Sequence, residues 1–271
     1  WCLWWCSRKV IEVNSNVVVS VIMPLFNSES TVEDSINSVL SQTFKEFELI
    51  VVDDKSTDNG PLIVKDISRI DPRVKLISLE INSGAGIARN RAIDAATGRY
   101  IAFLDADDLW LPKKLELQLD FMRLNKYAFT CTSYQVQDHS SSNLLGVRRP
   151  PHKIQYDDLL YENVIGCLTV IFDTKILGYR KMPEIRKRQD FALWLNILKV
   201  ANCYSIDTVL ATYRIMPQSI SRSKLEMLIF NYLMFRKCEG MGCLKAFYYV
   251  SRNVFRKIQR AFLFENTYRK Y

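Results

Sequence analysis

The sequence predicts an α/β fold: a doubly wound, mostly parallel sheet flanked by helices, followed by a helical C-terminal tail. Three observations carry this. Short β-branched apolar runs alternate with stretches of helical periodicity. Two of those runs lead directly into clusters of aspartates. The last fifth of the chain sets Lys and Arg among aromatics at helical spacing and carries all of the net charge.

Composition sets the limits. The chain has 271 residues, of which 48% are hydrophobic, enough for a substantial core. With 9 Gly and 8 Pro it is neither fibrous nor of low complexity. The formal charge is +8. From Ser221 onward there are 11 Lys and Arg against 3 Asp and Glu, so the first 220 residues are neutral. A basic tail implies an anionic partner: phospholipid, nucleic acid or a diphosphate-linked substrate. The seven cysteines form no CxxC pair and lie far from His139 and His152, which opposes a zinc site and suits a reducing compartment. The opening segment, residues 1–16, begins Trp1-Cys2-Leu3-Trp4-Trp5-Cys6. Its apolar run is too short for a bilayer span or a signal peptide, and it reads as a truncated or interfacial leader. No stretch of roughly 18 apolar residues predicts a transmembrane helix.

The elements follow in order. Residues 17–23, Val17-Val18-Val19-Ser20-Val21-Ile22-Met23, form a buried strand stopped by Pro24. Ser30-Thr31-Val32-Glu33 has the form of a capping box for the next helix. A second strand, residues 48–52, runs into Asp53-Asp54. A helix is expected over 60–70, a strand over 74–79, a glycine-containing loop at 82–86, a helix to about residue 96 and a strand over 100–104. Such alternation argues for a parallel sheet, whose ligands sit at the carboxyl ends of the strands. Beyond it come a helix over 112–125, a strand over 129–136, an exposed loop over 138–151, a strand over 164–172 and a helix over 190–200. Two amphipathic helices from residue 224 break near Gly240-Met241-Gly242. The domain reading is a leader (1–16), a catalytic domain (17–221) and a basic helical region (222–271).

Asp105-Ala106-Asp107-Asp108 places three carboxylates in four residues at a strand end. They repel one another unless a cation or water compensates. A hard divalent ion, Mg²⁺ or Mn²⁺, prefers such oxygens and shares them with substrate phosphates; a solvated acidic turn is the alternative. Asp53 and Asp54 suit ribose hydroxyls or a base N–H, and equally suit a turn. Gly84-Ala85-Gly86 is only a fragment of a phosphate loop, but Arg89 lies one turn into the following helix, within reach of a diphosphate. Asp190 reads either as a helix N-cap or as a general base.

Together these residues resemble glycosyltransferase family 2. The match rests on Ser20-Val21-Ile22-Met23-Pro24-Leu25-Phe26-Asn27, Leu40-Ser41-Gln42-Thr43-Phe44, Asp53-Asp54-Lys55-Ser56-Thr57-Asp58, Ala88-Arg89-Asn90 and Phe103-Leu104-Asp105-Ala106-Asp107-Asp108. It returns at Gln189-Asp190 and over Tyr213-Arg214-Ile215-Met216-Pro217-Gln218-Ser219-Ile220-Ser221. The resemblance implies the Rossmann-like GT-A fold with a mixed sheet. It implies that Pro24, Phe26, Glu29 and Asp54 line the nucleotide pocket beside Asp53, and that Arg89 lies near the base or diphosphate. It further implies that Asp105, with Ala106 next to it, approaches the ribose, that Asp107 binds the metal, and that Asp190 is the catalytic base. Lys55 stands where the family usually has Gly, and Gln189 where many members have Glu. No Gln-x-x-Arg-Trp motif follows Asp190, which argues for adding one sugar rather than polymerising.

The expected activity is inverting transfer of one sugar from a nucleotide-diphosphate donor, UDP-hexose or UDP-N-acetylhexosamine, to a hydroxyl of a lipid-diphosphate-linked saccharide in surface-polysaccharide synthesis. The tail is expected to rest on an anionic membrane surface, placing the enzyme in the cytoplasm on the inner face of the membrane. The alternative for the tail is packing of Leu228, Phe230, Leu233 and Phe247 on the domain. Nucleic-acid binding is opposed by the neutral first 220 residues and the acidic strand ends. A nicotinamide-dependent oxidoreductase is opposed by Pro24-Leu25-Phe26-Asn27 where its glycine fingerprint would stand. A non-catalytic nucleotide-sugar sensor remains the third alternative.

Overall fold

The computed structural model describes the backbone of residues 17–216 and 224–268, with side chains over 17–216 and 226–256. The leader over 1–16, residues 217–221 of the last matching motif, and the basic side chains beyond 256 lie outside the described residues.

The first half alternates as the pattern predicts: β1 (Val19–Leu25), α1 (Val32–Leu40), β2 (Phe47–Asp53), α2 (Gly60–Ile70), β3 (Val74–Ser78), α3 (Ala85–Ala95) and β4 (Tyr100–Phe103). Then come β5 (Leu109–Trp110), α4 (Lys114–Asn125), β6 (Phe129–Asp138), β7 (Leu144–Arg148), β8 (Lys153–Ile154), α5 (Tyr156–Tyr161), β9 (Ile171–Asp173), α6 (Thr174–Leu177), α7 (Gln189–Leu198), β10 (Cys203–Ile215), α8 (Lys224–Lys237) and α9 (Cys243–Tyr268). The strands form one mixed sheet in the order β3-β2-β1-β4-β9-β6-β10-β5, with β7 on β6 and β8 on β10. β3, β2, β1 and β4 pair in parallel, and β9 enters antiparallel between β4 and β6.

β1, β2 and β4 are mostly apolar because both faces are covered. Val21, Met23, Leu49, Val51 and Ala102 meet α1, α2 and α4 through Ile36, Val39, Val64, Leu115 and Leu119. Ile22, Ile50, Val52, Ile101 and Phe103 meet α3 and α7, where the Phe103 and Trp194 rings lie edge to face at 5.6 Å. α8 adds fully buried Met234 and Phe235 to this second layer. At about 1.5–3 kcal/mol per buried large side chain, that holds α8 to the sheet layer. Leu228, Phe230 and Leu233 are half-buried there, whereas Phe247 on α9 is 66% exposed.

At the edge of the sheet opposite the aspartate clusters, a buried carboxylate ties four segments. Glu48 accepts from Ser20 Oγ (2.6 Å), Lys75 Nζ (2.6 Å), the Thr97 N–H (2.7 Å) and Thr97 Oγ1 (2.7 Å). Burial alone would raise its pKa, but these donors together outweigh burial and hold it below the ordinary value.

Five expectations are corrected, and one strand had none. Pro24 does not stop β1 but lies inside it, paired with Val52. Ile22 bonds to the β4 side, so the ring nitrogen of Pro24 faces that side too, beyond Phe103, the last paired residue of β4. The capping box at α1 does not form: Thr31 is the N-cap without a side-chain cap bond, and its Oγ1 donates to Ala106 O at 2.9 Å. Asp190 is not an N-cap, since α7 starts at Gln189 with left-handed Arg188 (φ 69°) before it. The loop over 138–151 contains β7, a fully exposed strand that has no buried face to leave a pattern. Of the strand expected over 164–172 only Ile171 and Phe172 pair, as the start of β9, because the Leu168 and Thr169 carbonyls accept from Trp110 Nε1 and Gln118 Nε2. β10 is unanticipated; its register shifts between Ile206 and Val209 break the alternation that marks a strand.

Candidate active site

β1, β2 and β4 run parallel, so their carboxyl ends open at one edge of the sheet, and the residues that follow them converge there. After β1 the chain turns through Phe26, 47% exposed, and through Asn27 at φ 47°. That turn is laced to the one after β2. Asn27 Oδ1 accepts the Thr57 N–H (2.8 Å), Asp58 Oδ2 accepts the Glu29 N–H (2.8 Å), and Glu29 accepts both the backbone N–H (3.1 Å) and the side-chain amide (2.9 Å) of Asn59. The Asn59 side chain and then its backbone pull the Glu29 pKa down. Pro24 is half-buried just behind this rim.

The Asp53 and Asp54 carboxylates are committed to the loops. Asp53 Oδ1 accepts the Ser56 N–H (2.9 Å) across a turn that needs Lys55 at φ 64°. The turn therefore keeps a glycine-like shape without the glycine. Asp54 is 2% exposed and accepts the Ser83 and Gly84 N–H groups, one on each oxygen, both at 2.7 Å. It anchors the loop that starts α3, where Gly84 at φ 91° has the freedom that turn requires.

The Asp105–Asp108 loop is held from below. Thr31 Oγ1 and Ser35 Oγ both donate to Ala106 O at 2.9 Å. Arg214 of β10, 5% exposed, clamps it from the other side. Its Nε donates to Asp107 O and its backbone N–H to Asp108 Oδ1 (3.0 Å). Its Nη2 donates to Thr31 O (3.2 Å) and Ser35 Oγ (3.1 Å), and Nη1 meets Asp34 (3.1 Å). Arg214 lies within the motif Tyr213 to Ser221, which by itself assigns it no role. The available signal was an arginine inside the apolar run Val209-Leu210-Ala211-Thr212-Tyr213-Arg214-Ile215, where a buried cation demands partners.

The loop's carboxylates differ. Asp105 pairs with Arg89 Nη2. Burial raises the Asp107 pKa to about 6, helped by the Asp105 charge and opposed by Arg214 and Arg89. Asp108 is pushed well up by burial and then by the Asp107 and Asp105 charges. Arg89 is 7% exposed; burial disfavours its charge, and Asp105 more than restores it. The Asp190 charge reaches the same arginine, as well as Arg188 and the Cys167 thiol. This closeness follows from packing: a Cβ on Gly86 would lie 2.8 Å from Gln189 Cγ, so the starts of α3 and α7 abut. The structure thus groups Asp105, Ala106, Asp107, Arg89 and Asp190 at one edge, with Phe26 and Glu29 on the adjoining rim.

Among the described residues no three His, Cys, Asp or Glu side chains form a ready metal cage. What Asp107 offers is one half-buried carboxylate destabilised by its neighbours, which a divalent cation relieves. That donor set fits an ion completing its shell with water and substrate phosphates.

A family model described as glycosyl transferase family 2 matches residues 20–183. The chain is 41% identical over 234 residues to the putative teichuronic acid biosynthesis glycosyltransferase TuaG of Bacillus subtilis strain 168, covering 86% of this chain and 93% of that one. It is 42% identical over 213 residues to the Escherichia coli UDP-Glc:alpha-D-GlcNAc-diphosphoundecaprenol beta-1,3-glucosyltransferase WfgD, covering 78% and 82%. Among solved structures, S. aureus TarS 1-349 in complex with UDP-GlcNAc superposes with a TM-score of 0.67 at 21% identity, covering 88% of this chain and 71% of that one. The mannosyltransferase PcManGT from Pyrobaculum calidifontis, in complex with GDP-Man and Mn²⁺, superposes with a TM-score of 0.63 at 18% identity, covering 86% and 69%.

Proposed function

The chain belongs to glycosyl transferase family 2 and is a glycosyltransferase of GT-A fold, and from that premise we propose an inverting, single-displacement transfer with Asp190 as the catalytic base. The donor is a UDP-hexose or UDP-N-acetylhexosamine. The acceptor is a saccharide linked through diphosphate to undecaprenol, in keeping with the substrates named for WfgD. The observation that carries the reading is the convergence of Asp190 and the Arg214-braced Asp105–Asp108 loop around Arg89.

Phe26 presents an exposed ring to stack on the base, and Asp105 approaches the ribose, with Ala106 holding its loop to α1. Pro24, Glu29, Asp53 and Asp54 shape the pocket, the last two through the loops they anchor. Arg89 sits at the diphosphate side. Asp190 removes the proton from the acceptor hydroxyl as its oxygen attacks the anomeric carbon and the C–O bond to the diphosphate breaks. Asp107 holds the divalent ion, which when bound supplies Lewis-acid stabilisation of the leaving diphosphate. The close packing of Gly86 against Gln189 at the starts of α3 and α7 supports a fixed position for Asp190.

We further propose that α9 rests on the anionic inner face of the membrane. Among the described residues no helix is long and apolar enough to cross it. Leu244 (87% exposed), Phe247, Tyr248 and Phe255 face outward beside exposed Lys245 and Arg256. Removing 243–271 is expected to abolish co-flotation with anionic vesicles; equal flotation of both forms contradicts it.

The test of the activity is a donor panel with Mn²⁺ or Mg²⁺. Nucleotide release is followed with and without N-acetylglucosaminyl-diphosphate-undecaprenol. Metal-dependent release that rises with acceptor is expected. Binding of donor with no turnover under any pairing would instead make the protein a sensor.

A further inference from the structure

The turn that delivers Asp190 is strained and is held from two sides. Arg188 sits at φ 69°, in the left-handed region that costs a non-glycine residue free energy. Such a residue persists only where the chain around it is fixed. On one side Gln189 abuts Gly86 of α3, and within the turn its Nε2 donates to Arg186 O at 2.8 Å. On the other side stands α8. Lys187, three residues before Asp190, pairs with Glu226 at 2.7 Å, and its Nζ lies 5.6 Å from the centre of the Phe230 ring. Glu226 and Phe230 are one turn apart on α8, so one face of that helix receives the cation between a carboxylate and a ring. Phe191, directly after Asp190, meets Phe235 of the same helix edge to face, with ring centres 5.9 Å apart.

The ion pair does little for global stability. The Glu226 side chain is 44% exposed, and exposed pairs are worth little. What it fixes is local. Lys187 and Phe191 are both seated on α8, and only Arg188, Gln189 and Asp190 lie between them. The short span therefore has both ends anchored to one helix, with the strained residue inside it. Released at Lys187, Arg188 relaxes toward an ordinary negative φ. That rotates the start of α7 and carries the Asp190 carboxylate away from the attacking hydroxyl.

We infer that Lys187 and Glu226 are positioning residues for Asp190, so that α8 belongs to the catalytic apparatus and not to a separate tail. This rests on the base assigned above. Neither residue touches substrate in this account; both act through the Arg188 turn. Their loss is therefore felt in the rate of transfer and not in the grip on the donor.

The test uses the full-length protein with a UDP-hexose and N-acetylglucosaminyl-diphosphate-undecaprenol. Lys187→Glu and Glu226→Lys each set like charges together. Each is expected to lower kcat by about tenfold to a hundredfold, the effect of roughly 1 Å of misplacement. The donor KM and UDP affinity are expected to stay within about twofold, and the melting temperature within about 3 °C. Combining the two reversals restores the pair and most of kcat, and Lys187→Arg, which keeps the charge, stays close to wild type. In an Asp190→Asn background, Glu226→Lys is expected to cost nothing further, because the group it positions is gone. Unchanged kcat in either reversal, no recovery in the combined variant, or a full further loss in the Asp190→Asn background overturns the inference. If the wild type transfers no sugar, or Asp190→Asn turns over like wild type, the proposed function fails. Amide hydrogen exchange over residues 186–191 then decides the inference alone: faster exchange in Glu226→Lys than in wild type is expected, and equal rates overturn it.

Discussion

Replacing Arg214 with Met tests whether the acidic loop is held in place by one buried arginine. Arg214 donates three side-chain hydrogen bonds, to Asp107 O, Thr31 O and Ser35 Oγ, and pairs with Asp34. The Asp34 side chain is 66% exposed, so that ion pair adds little. The remaining bonds are buried, and hydrogen bonds to a charged group contribute about 1.5–3 kcal/mol each, less than additively. Removing one member of such a set costs about 3–5 kcal/mol, because carbonyl acceptors are left dry. At roughly 2–4 °C per kcal/mol for a chain of this size, the melting temperature should fall by about 10 °C. Asp107 loses its brace as well, and a displacement of about 1 Å at a reacting centre costs on the order of 10² in rate. Arg214→Lys keeps the charge but not the fork, and should fall between wild type and Met on both scales. The assays are thermal denaturation and metal-dependent nucleotide release. A melting temperature within about 2 °C of wild type together with unchanged kcat/KM would refute the clamp.

Three further outcomes follow from the same geometry. Asp107→Ala should raise the donor KM and flatten the response of nucleotide release to Mn²⁺; an unaltered metal titration would remove Asp107 from that role. Lys55→Gly should raise the melting temperature, since a left-handed non-glycine residue costs about 1–2 kcal/mol; a lower melting temperature would show that the turn takes another shape. Glu48 has a folded-state pKa below the ordinary glutamate value, so its contribution is full above that value and is lost as the pH falls through and below it. Glu48→Gln should therefore be markedly less stable than wild type at neutral pH and converge with it in acid, and a constant gap would contradict the linkage.

The first half of the fold was legible because β1, β2 and β4 are buried on both faces and each helix sits between clear breaks. β10 was not, because its bulge near Asp207 breaks the alternation, and β7 was not, because it buries neither face. At the site, carboxylates at strand ends were legible as a group. Their wiring was not: Arg214 and Asp34 are 180 residues apart in sequence, and no local pattern joins them. Asp54 shows the opposite limit, since a carboxylate after a buried strand reads as a ligand contact while both its oxygens hold Ser83 and Gly84. Ser30-Thr31-Val32-Glu33 reads as a capping box, and the Thr31 hydroxyl serves the acidic loop instead.

The assignment of Asp190 as base is tested most directly by Asp190→Asn, with sugar transfer and UDP affinity measured on the same preparation. Transfer is expected to fall by about 10²–10⁴, the typical worth of general-base help, with UDP affinity held within about twofold. Turnover near that of wild type would contradict it.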